Sequence, residues 1–258
     1  MYATNLFEDA IINLMREVPI RAPETLYLAL FMTNPGDEGE GYEVNYEGYT
    51  RLAINFSEPF EYSTGLCIQN AEELIFTESP VTLGSVTHIG IMNQLNGGDM
   101  LLYGELDTSL SIQAGVTPIF RVGSIKWIWT GNLSNYYRNK IMRVFLHEDV
   151  NGFLPWLGFC NGDPDGAGAE FSGYGYARVQ FQMSGPVQQP NGTDMCQNTL
   201  DIVSPESTGN WGTMSYVCIY DSETNGQPFA IIPLGTSFVV SGQTSIGFRA
   251  GSLRFSVN

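Results

Sequence analysis

The sequence contains few charged residues, and basic residues are the scarcest of them. Only 15% of the 258 residues are Asp, Glu, Lys or Arg, and 27 acidic against 11 basic residues give a formal net charge of −16. Such a surface repels phosphate backbones and anionic lipid headgroups, which argues against binding to nucleic acid or to a membrane surface. No window reaches the ~18 consecutive apolar residues of a membrane-spanning helix, so we expect no membrane insertion.

Cysteine and histidine are also scarce. The four cysteines, at positions 67, 160, 196 and 218, have no C-x-x-C spacing and no regular partner, which argues against a zinc site and against a disulfide framework. We therefore expect reduced thiols that are buried as small hydrophobic side chains.

Residues 1–18 are interrupted by Glu8 and Asp9 and lack the pattern of a secretory leader, so we expect a protein that is made in a cytoplasm and stays soluble.

Glycine and aromatic residues, in contrast, are abundant. The sequence has 29 Gly and 13 Pro, and 12% of its residues are aromatic. So many rings with so few charges argue against intrinsic disorder, and the Gly and Pro residues indicate many turns. The composition favours a compact, turn-rich β protein.

A ten-residue pattern occurs twice. Residues 47–56, EGYTRLAINF, and residues 173–182, GYGYARVQFQ, share Gly-Tyr-x-Arg followed by alternating apolar and polar residues. Arg51 and Arg178 lie 127 positions apart, and this offset aligns Leu52, Ile54 and Phe56 with Val179, Phe181 and Met183. A period of two is typical of a strand with one buried face, so the repeated phase indicates a repeated core.

The repeat continues along most of the chain. Residues 5–16, NLFEDAIINLMR, align with residues 132–143, NLSNYYRNKIMR, at an offset of 127. GSVTHIGIMN from Gly84 aligns with GTMSYVCIYD from Gly212 at an offset of 128. Because about 127 residues far exceed the repeat length of solenoids, each copy can hold its own core. We predict two domains, 1–130 and 131–258.

Each copy is predicted to open on one amphipathic helix. The apolar positions recur at helical spacing: Leu6, Phe7, Ala10, Ile11, Leu14 and Met15 in the first copy, and Leu133, Tyr137, Ile141 and Val144 in the second. Thr4 or Asn5 can cap the first helix, and Pro19 marks its exit.

The rest of each copy is predicted to form short strands separated by turns. LNGGD from Leu95 and TNGQP from Thr224 indicate hairpins, with Asn-Gly in a type I′ turn. Strands at this spacing without intervening helices favour antiparallel sandwiches. The predicted fold is all-β with one short helix per copy: two tandem antiparallel β-sandwich domains related by internal duplication.

The chain resembles a bacteriophage tail-fibre family of small virion structural proteins. The resemblance is carried in the first copy by LYLALFMTNPGDEGEGYEV, EGYTR, LGSVTHIGI and IQAG, and in the second by WLGFCNGDPDGAGAEF, GYGYAR, WGTMSYVCI and VVSG. The family pattern has one copy, whereas this chain has two, and the second copy has Ser215 and Tyr216 in place of Thr87 and His88. The resemblance implies a virion protein that is assembled in the host bacterial cytoplasm.

Neither histidine is predicted to be catalytic. The alignment places His88 opposite Tyr216 and His147 opposite Ile20, and a general base or a metal ligand is not interchangeable with a phenol or an alkyl group. No Ser-His-Asp or Cys-His arrangement is evident. We expect no enzyme activity and no cofactor.

Calcium binding is the less favoured interpretation of two acidic, glycine-rich loops. The acidic glycine-rich loops contain Asp37, Glu40 and Glu43 in the first copy and Asp163, Asp165 and Glu170 in the second, with Glu43 and Glu170 in register. Calcium prefers six to eight oxygen ligands, which such loops could supply. However, the Asp-x-Asp-Gly at Asp163 lacks the final glutamate of an EF-hand loop, so a solvated hairpin tip is the favoured interpretation.

Two further groups of residues allow alternative interpretations. Trp127, Trp129, Trp156 and Trp211 could stack on sugar rings of a host surface glycan, but core or inter-domain packing is the simpler account, since Trp156 aligns with Tyr27. The paired arginines are Arg51 with Arg178 and Arg121 with Arg249. They either pair with local carboxylates such as Glu43 and Glu170, holding the loop against the sheet, or bind a neighbouring subunit.

The leading functional hypothesis is a non-enzymatic structural protein of the phage virion. We expect a tail or tail-fibre component that assembles as a homo-oligomer, and with other virion subunits, through its β-sandwich surfaces. The helices are candidate docking elements because their outer residues differ in charge, with Glu8 and Asp9 in the first and Arg138 and Lys140 in the second. The alternatives are a capsid decoration or head-fibre protein, a glycan-binding receptor-recognition module, and a hydrolase of surface glycans.

Overall fold

The computed structural model describes residues 1–63, 65–190 and 192–257, which form two compact units. Unit 1 consists of Met1–Asp9, Arg21–Thr130 and Met142–Asp149. Unit 2 consists of Ala10–Ile20, Gly131–Ile141 and the chain from Val150 onward. The units therefore divide at Thr130, as the two halves of the sequence do, but each unit also contains one short segment from the other half. As a statement about folding units, the division into 1–130 and 131–258 remains a prediction.

Unit 1 is built from antiparallel strands. They are β1 (Tyr2–Ala3), β2 (Leu26–Phe31), β3 (Leu52–Ile54), β4 (Phe60–Tyr62), β5 (Gly65–Gln69), β6 (Leu74–Ile75), β7 (Gly84–Met92), β8 (Met100–Ile112), β9 (Ile119–Phe120) and β10 (Lys126–Trp129). One sheet has the order β1-β8-β7-β2-β3 and another the order β10-β5-β4, while β6 and β9 form a two-stranded ribbon.

Unit 2 repeats this plan. Its strands are β11 (Trp156–Cys160), β12 (Val179–Gln180), β13 (Val187–Gln188), β14 (Asp194–Gln197), β15 (Ile202–Val203), β16 (Gly212–Tyr220), β17 (Pro228–Val240), β18 (Gly247–Phe248) and β19 (Arg254–Ser256). The sheet orders are β12-β11-β16-β17 and β13-β14-β19, and β15 and β18 form the equivalent ribbon. The predicted fold, tandem antiparallel β-sandwiches with one short helix per copy, is confirmed.

The helices are short and each ends in a 3-10 turn. α1 covers Asn5–Asn13 and α2 covers Asn135–Met142, and the turns cover Leu14–Arg16 and Arg143–Leu146. The carbonyl of Thr4 accepts hydrogen bonds from the first turn of α1, while its hydroxyl donates to the carbonyl of Met100 (2.7 Å). Thr4 therefore ties the start of the helix to the sheet. Among the described residues, no helix is both long and apolar enough to span a bilayer.

The repeated strand has the predicted buried face. Ile54 and Phe56 in unit 1, like Phe181 and Met183 in unit 2, are buried, whereas the intervening residues are exposed. Large rings fill both interiors: Phe7, Phe56, Trp127 and Phe145 in unit 1, and Tyr137, Phe153, Phe229 and Phe255 in unit 2. All four cysteines are free and buried, as expected.

The predicted helix alignment was wrong by three residues. The amides of Thr4 and Ser134 donate to the equivalent carbonyls of Leu101 and Phe229, so the helices are offset by 130 positions rather than 127. Glu17 and His147 then occupy the same place, each ending a 3-10 turn with a positive φ. His147 is therefore equivalent to Glu17 and not to Ile20.

Three local predictions also need correction. The turns of LNGGD and TNGQP lie in connections of seven residues, 93–99 and 221–227, rather than in two-residue type I′ turns. Leu6 is 47% exposed and does not belong to the buried stripe of α1, whereas Ile12, which the prediction omitted, is fully buried. Residues 119–129, IFRVGSIKWIW, are predicted from their sequence to form a strand, but the structure divides them into β9 and β10 with a turn at Gly123 (φ 73°).

Candidate functional site

The loops that follow β2 and β11 are each held by a cluster of three polar side chains. In unit 1 this carboxylate anchor consists of Glu43, Tyr49 and Arg51, and in unit 2 it consists of Glu170, Tyr176 and Arg178. The arginine and the tyrosine come from the repeated Gly-Tyr-x-Arg, and the glutamate ends the acidic loop. The two motifs that stood out in the sequence are thus one structural feature.

In unit 1 the guanidinium of Arg51 binds Glu43 with two hydrogen bonds. Nε donates to Oε1 at 2.9 Å and Nη2 donates to Oε2 at 2.7 Å. The hydroxyl of Tyr49 also donates to Oε1 (3.1 Å) and accepts from the amide of Leu30 in β2 (3.1 Å). The carboxylate is thereby connected to the middle of the sheet.

Unit 2 repeats this geometry closely. Arg178 donates from Nε to Oε1 of Glu170 at 2.8 Å and from Nη2 to Oε2 at 2.7 Å. The hydroxyl of Tyr176 donates to Oε1 at 2.6 Å and accepts from the amide of Phe159 at 3.0 Å. The guanidinium also lies over the ring of Tyr220, 3.4 Å from its centre. The predicted pairing of these arginines with Glu43 and Glu170 is confirmed.

The anchors also fix the neighbouring hairpin connections. Nη1 of Arg51 donates to the carbonyls of Gln94 (2.9 Å) and Gly97 (2.6 Å), and Nη1 of Arg178 donates to the carbonyl of Ser222 (2.7 Å). Each arginine therefore joins a loop to a hairpin through charge-assisted hydrogen bonds, which are stronger than neutral ones.

Burial makes these interactions persistent. The side chains of Arg51 and Arg178 are only 9% and 8% exposed, so water competes poorly for their hydrogen bonds. Burial raises the pKa of both Tyr49 and Tyr176, and the adjacent carboxylate adds to this shift. The hydroxyls therefore stay protonated and remain donors. The arrangement holds a surface loop in place in each unit.

The six calcium candidates are not brought together. Glu43 and Glu170 are bound by arginine, Asp37 accepts from the hydroxyl of Tyr103 (2.9 Å), and Glu40 is exposed. Asp163 accepts from the amide of Asp165 (2.9 Å), whose own carboxylate accepts from the amide of Asn135 (2.6 Å). Within residues 1–63, 65–190 and 192–257, no group of three or more acidic, histidine or cysteine residues is placed to hold a metal.

Calcium is accordingly expected to have no effect on stability. Addition of calcium or of a chelator should leave the melting temperature unchanged in differential scanning fluorimetry, with magnesium at equal ionic strength as the control. A site occupied at 100 times its Kd would add about 2.7 kcal/mol. That amount would raise the melting temperature by several degrees, and such a rise with calcium alone would contradict this expectation.

Each histidine ring lies within hydrogen-bonding distance of an oxygen atom of another residue. His88 lies in β7, where its Nδ1 is 2.9 Å from the hydroxyl of Thr87. His147 is exposed, and its Nδ1 is 2.6 Å from the carbonyl of Pro23. Neither contact involves an acidic side chain.

Most tryptophans pack in the interior. Trp127, Trp129 and Trp211 are 3%, 5% and 7% exposed, and the first two stack on each other with ring centres 5.1 Å apart. Trp156 is partly buried against the cluster that contains Cys160 and Cys218. The packing interpretation of these four residues is confirmed.

The helix residues that were predicted to face outward are half-buried. Glu8, Asp9, Arg138 and Lys140 all lie between the buried and the exposed classes. The ammonium of Lys140 is 5.3 Å from the ring centre of Tyr137. Docking through the helices stays a prediction, but these side chains do not form a freely exposed charged face.

The second arginine pair, Arg121 and Arg249, shares a backbone hydrogen bond in the two units and not an ion pair. Arg121 and Arg249 make no ion pair within the described part of the chain, so the carboxylate pairing was wrong for them. Their carbonyls accept from Nδ2 of Asn70 and Asn198, each at 2.9 Å. Both asparagines are buried and also accept a backbone amide, from Ile125 and from Leu253. The repeated Gln-Asn at an offset of 128 was the sequence signal for them.

Replacement of Asn198 by alanine is expected to lower the free energy of unfolding by about 1–3 kcal/mol. The change leaves the amide of Leu253 and the carbonyls of Leu200 and Arg249 without their partner in a buried place. Urea unfolding measures the loss, with Asn45→Ala at an exposed position as the control. Equal stability of the two variants would show that the buried amide is dispensable.

Comparison with known proteins agrees with the duplication. The model of one family, described as podophage GP4 fiber I protein gp80, matches the chain twice, over residues 2–128 and 132–256. No curated protein matches the chain. Because the two matches together cover nearly the whole sequence, the chain belongs to the podophage GP4 fiber I protein family and carries two copies of the family unit in tandem.

Proposed function

We propose that the protein is a non-enzymatic structural subunit of a phage tail fibre and that it works by presenting rigid β-sandwich surfaces to other virion subunits. Membership of a phage fibre family supports a virion component. The observation that carries the proposal is the pair of partly buried carboxylate anchors, which hold a surface loop in each unit. A surface that is already ordered loses little conformational entropy on binding. Assembly would take place in the host cytoplasm.

The candidate contact surfaces are the two-stranded ribbons β6–β9 and β15–β18. Ile75 and its cross-strand partner Ile119 are 55% and 49% exposed, and Val203, at the position equivalent to Ile75, is 59% exposed. Exposed aliphatic side chains on equivalent ribbons favour contact with another subunit. A stable contact buries on the order of 800 Å² on each partner. Two related ribbons in one chain support a homo-oligomer, because each chain offers two similar contacts.

Incorporation into virions tests this proposal. The double variant Ile75→Lys and Val203→Lys is expected to keep its melting temperature but to be depleted from purified particles, as measured by quantitative mass spectrometry. Ser109→Lys, at an exposed polar position of β8, is the matched control and should be incorporated normally. Normal incorporation of the double variant would exclude the ribbons as the contact surface.

A map of the intact particle by electron cryomicroscopy tests the location. Density for the two units in fibres attached to the tail is expected, whereas density on the capsid would support a decoration or head-fibre protein instead. Native mass spectrometry of the purified protein tests the oligomer. A monomer at all concentrations would contradict homo-oligomer formation.

Glycan recognition is a second candidate function, and exposed tyrosines favour it. Tyr42 and Tyr174 are 63% and 62% exposed and lie close to the two acidic loops in sequence. Such rings can stack on sugars. Binding to a host-glycan array that is lost in the Tyr42→Ala and Tyr174→Ala variants would support this function. Turnover of a bound glycan would point to a hydrolase instead, and absence of binding would remove both.

A further inference from the structure

Each unit contains a short segment from the opposite half of the sequence. Unit 1 includes Met142–Asp149, which ends and follows α2, and unit 2 includes Ala10–Ile20, which contains the end of α1. With the helices offset by 130 positions, residues 142–149 are equivalent to residues 12–19. The exchange is therefore reciprocal, since the same part of each copy is contributed to the other unit.

The exchanged segment is part of the core of unit 1. Phe145 is fully buried, and its ring centre lies 5.3 Å from that of Phe7, 5.8 Å from that of Phe56 and 5.2 Å from that of Trp127. These three partners come from the first half of the sequence. Without Phe145, the centre of this aromatic cluster would be empty.

Polar contacts hold the same segment at the surface of unit 1. Asp149 accepts from Nη1 of Arg21 (2.5 Å) and from the amide of Ala22 (2.9 Å), and these contacts lower the pKa of its carboxyl. Nη2 of Arg143 donates to Glu58 (2.5 Å). Apolar and polar contacts thus both hold the segment in unit 1.

The reciprocal segment is equally integrated into unit 2. Leu14 and Met15 are buried, and the carbonyl of Leu14 accepts from the amide of Phe153 (2.7 Å). Ile20 and Val150 exchange both backbone hydrogen bonds, at 2.8 and 3.0 Å. A β-carbon at Gly152 would lie 2.4 Å from the carbonyl carbon of Glu17, so only glycine permits this approach.

We propose that this chain is a segment-exchanged dimer of the family unit fused into one polypeptide, in which each half of the sequence is the binding partner of the other half. The reciprocity identifies the partner as a second copy of the same unit rather than an unrelated protein, because equivalent residues fill equivalent places. Segment exchange between identical copies is a common route to dimers. The peptide link after Thr130 then holds the two halves in one chain, and the exchanged segments supply the non-covalent contacts that bind the halves to each other. This inference does not depend on the proposed role in the fibre.

Cleavage of the link in the folded, full-length protein tests the proposal. A specific protease site inserted between Thr130 and Gly131, in an exposed stretch, allows complete cleavage without prior unfolding. The two fragments are expected to elute together, at the elution volume of the uncleaved protein, and to separate only in concentrated guanidinium. Separation under native conditions at micromolar concentration would overturn the proposal.

A second measurement distinguishes exchange from simple contact between self-contained halves. Phe145 and Phe159 are both fully buried and both come from the second half, but Phe145 packs on Trp127, whereas Phe159 stacks on Trp211 with centres 6.5 Å apart. In protein labelled with 5-fluorotryptophan, ¹⁹F resonances are assigned by single Trp→Phe substitutions. Phe145→Ala is expected to shift the resonance of Trp127 and not that of Trp211, and Phe159→Ala the reverse.

The resonances of Trp127 and Trp211 distinguish segment exchange from two self-contained halves. If Phe145→Ala shifts the Trp211 resonance and leaves that of Trp127 in place, the segment stays within its own half and the proposal is wrong. Phe145→Leu and Phe159→Leu keep most of the side-chain volume and provide the same comparison should the alanine variants fail to fold.

Discussion

Replacement of Phe145 by alanine is expected to lower the free energy of unfolding by about 3–5 kcal/mol, the usual cost of removing a fully buried phenylalanine. The ring contacts Phe7, Phe56 and Trp127, and the strands and helices around it cannot collapse freely into the space it leaves. Guanidinium unfolding followed by the emission of the tryptophans, which lie in both units, measures the loss.

Phe238 provides the matched control for this experiment. It is also a phenylalanine of the second half, but it is 44% exposed in β17, so Phe238→Ala should cost less than about 1 kcal/mol. A similarly small cost for Phe145→Ala would mean that the aromatic cluster does not stabilise unit 1.

Replacement of Arg178 by alanine is the second large effect, with an expected loss of about 2–4 kcal/mol. The change removes both hydrogen bonds to Glu170, the bond to the carbonyl of Ser222 and the stacking on Tyr220. It also leaves a carboxylate that is only 22% exposed without its counter-charge. Chemical unfolding gives the loss in stability, and hydrogen exchange should show faster exchange in the loop at residues 161–169.

Further variants separate the effect of charge from that of hydrogen-bond geometry. Arg178→Lys keeps the charge but cannot form the paired hydrogen bonds, so an intermediate loss is expected. Arg178→Ala combined with Glu170→Gln should cost less than the sum of the two single changes, since the second removes the unpaired charge left by the first. Arg254→Ala, at an exposed arginine, is the control. An unchanged exchange rate in the loop of Arg178→Ala would exclude an anchoring role.

The carboxylate anchors could be predicted because their members are close in sequence and repeated in register. Arg51 and Glu43 are eight residues apart, as are Arg178 and Glu170, and in so acidic a protein a shared arginine needs a local partner. The hydroxyls of Tyr49 and Tyr176 were not predicted as members, although both belong to the repeated motif. These hydroxyls accept hydrogen bonds from backbone amides of β2 and β11, 19 and 17 residues before the tyrosines, and the local pattern does not show that approach.

The helix register was wrong for a geometric reason. A shift of three residues rotates a helix by about 300°, close to a full turn, so the apolar stripes of α1 and α2 match nearly as well at an offset of 127 as at 130. In a strand, a shift of one residue moves every side chain to the opposite face. The strand offsets were therefore reliable and the helix offset was not.

Local pattern was enough to establish the tandem copies, the antiparallel strands and the pairing of Arg51 and Arg178 with their carboxylates, because periodicity and short-range charge pairing act between residues near one another in the chain. It could not show which interior Phe145 or Met15 would fill. Burial of apolar surface is non-directional, so an amphipathic segment fits either of two similar cores equally well by its own pattern. The choice between them depends on shape, on the aromatic cluster around Phe145 and on the close backbone approach at Gly152, and these exist only after the chain has folded.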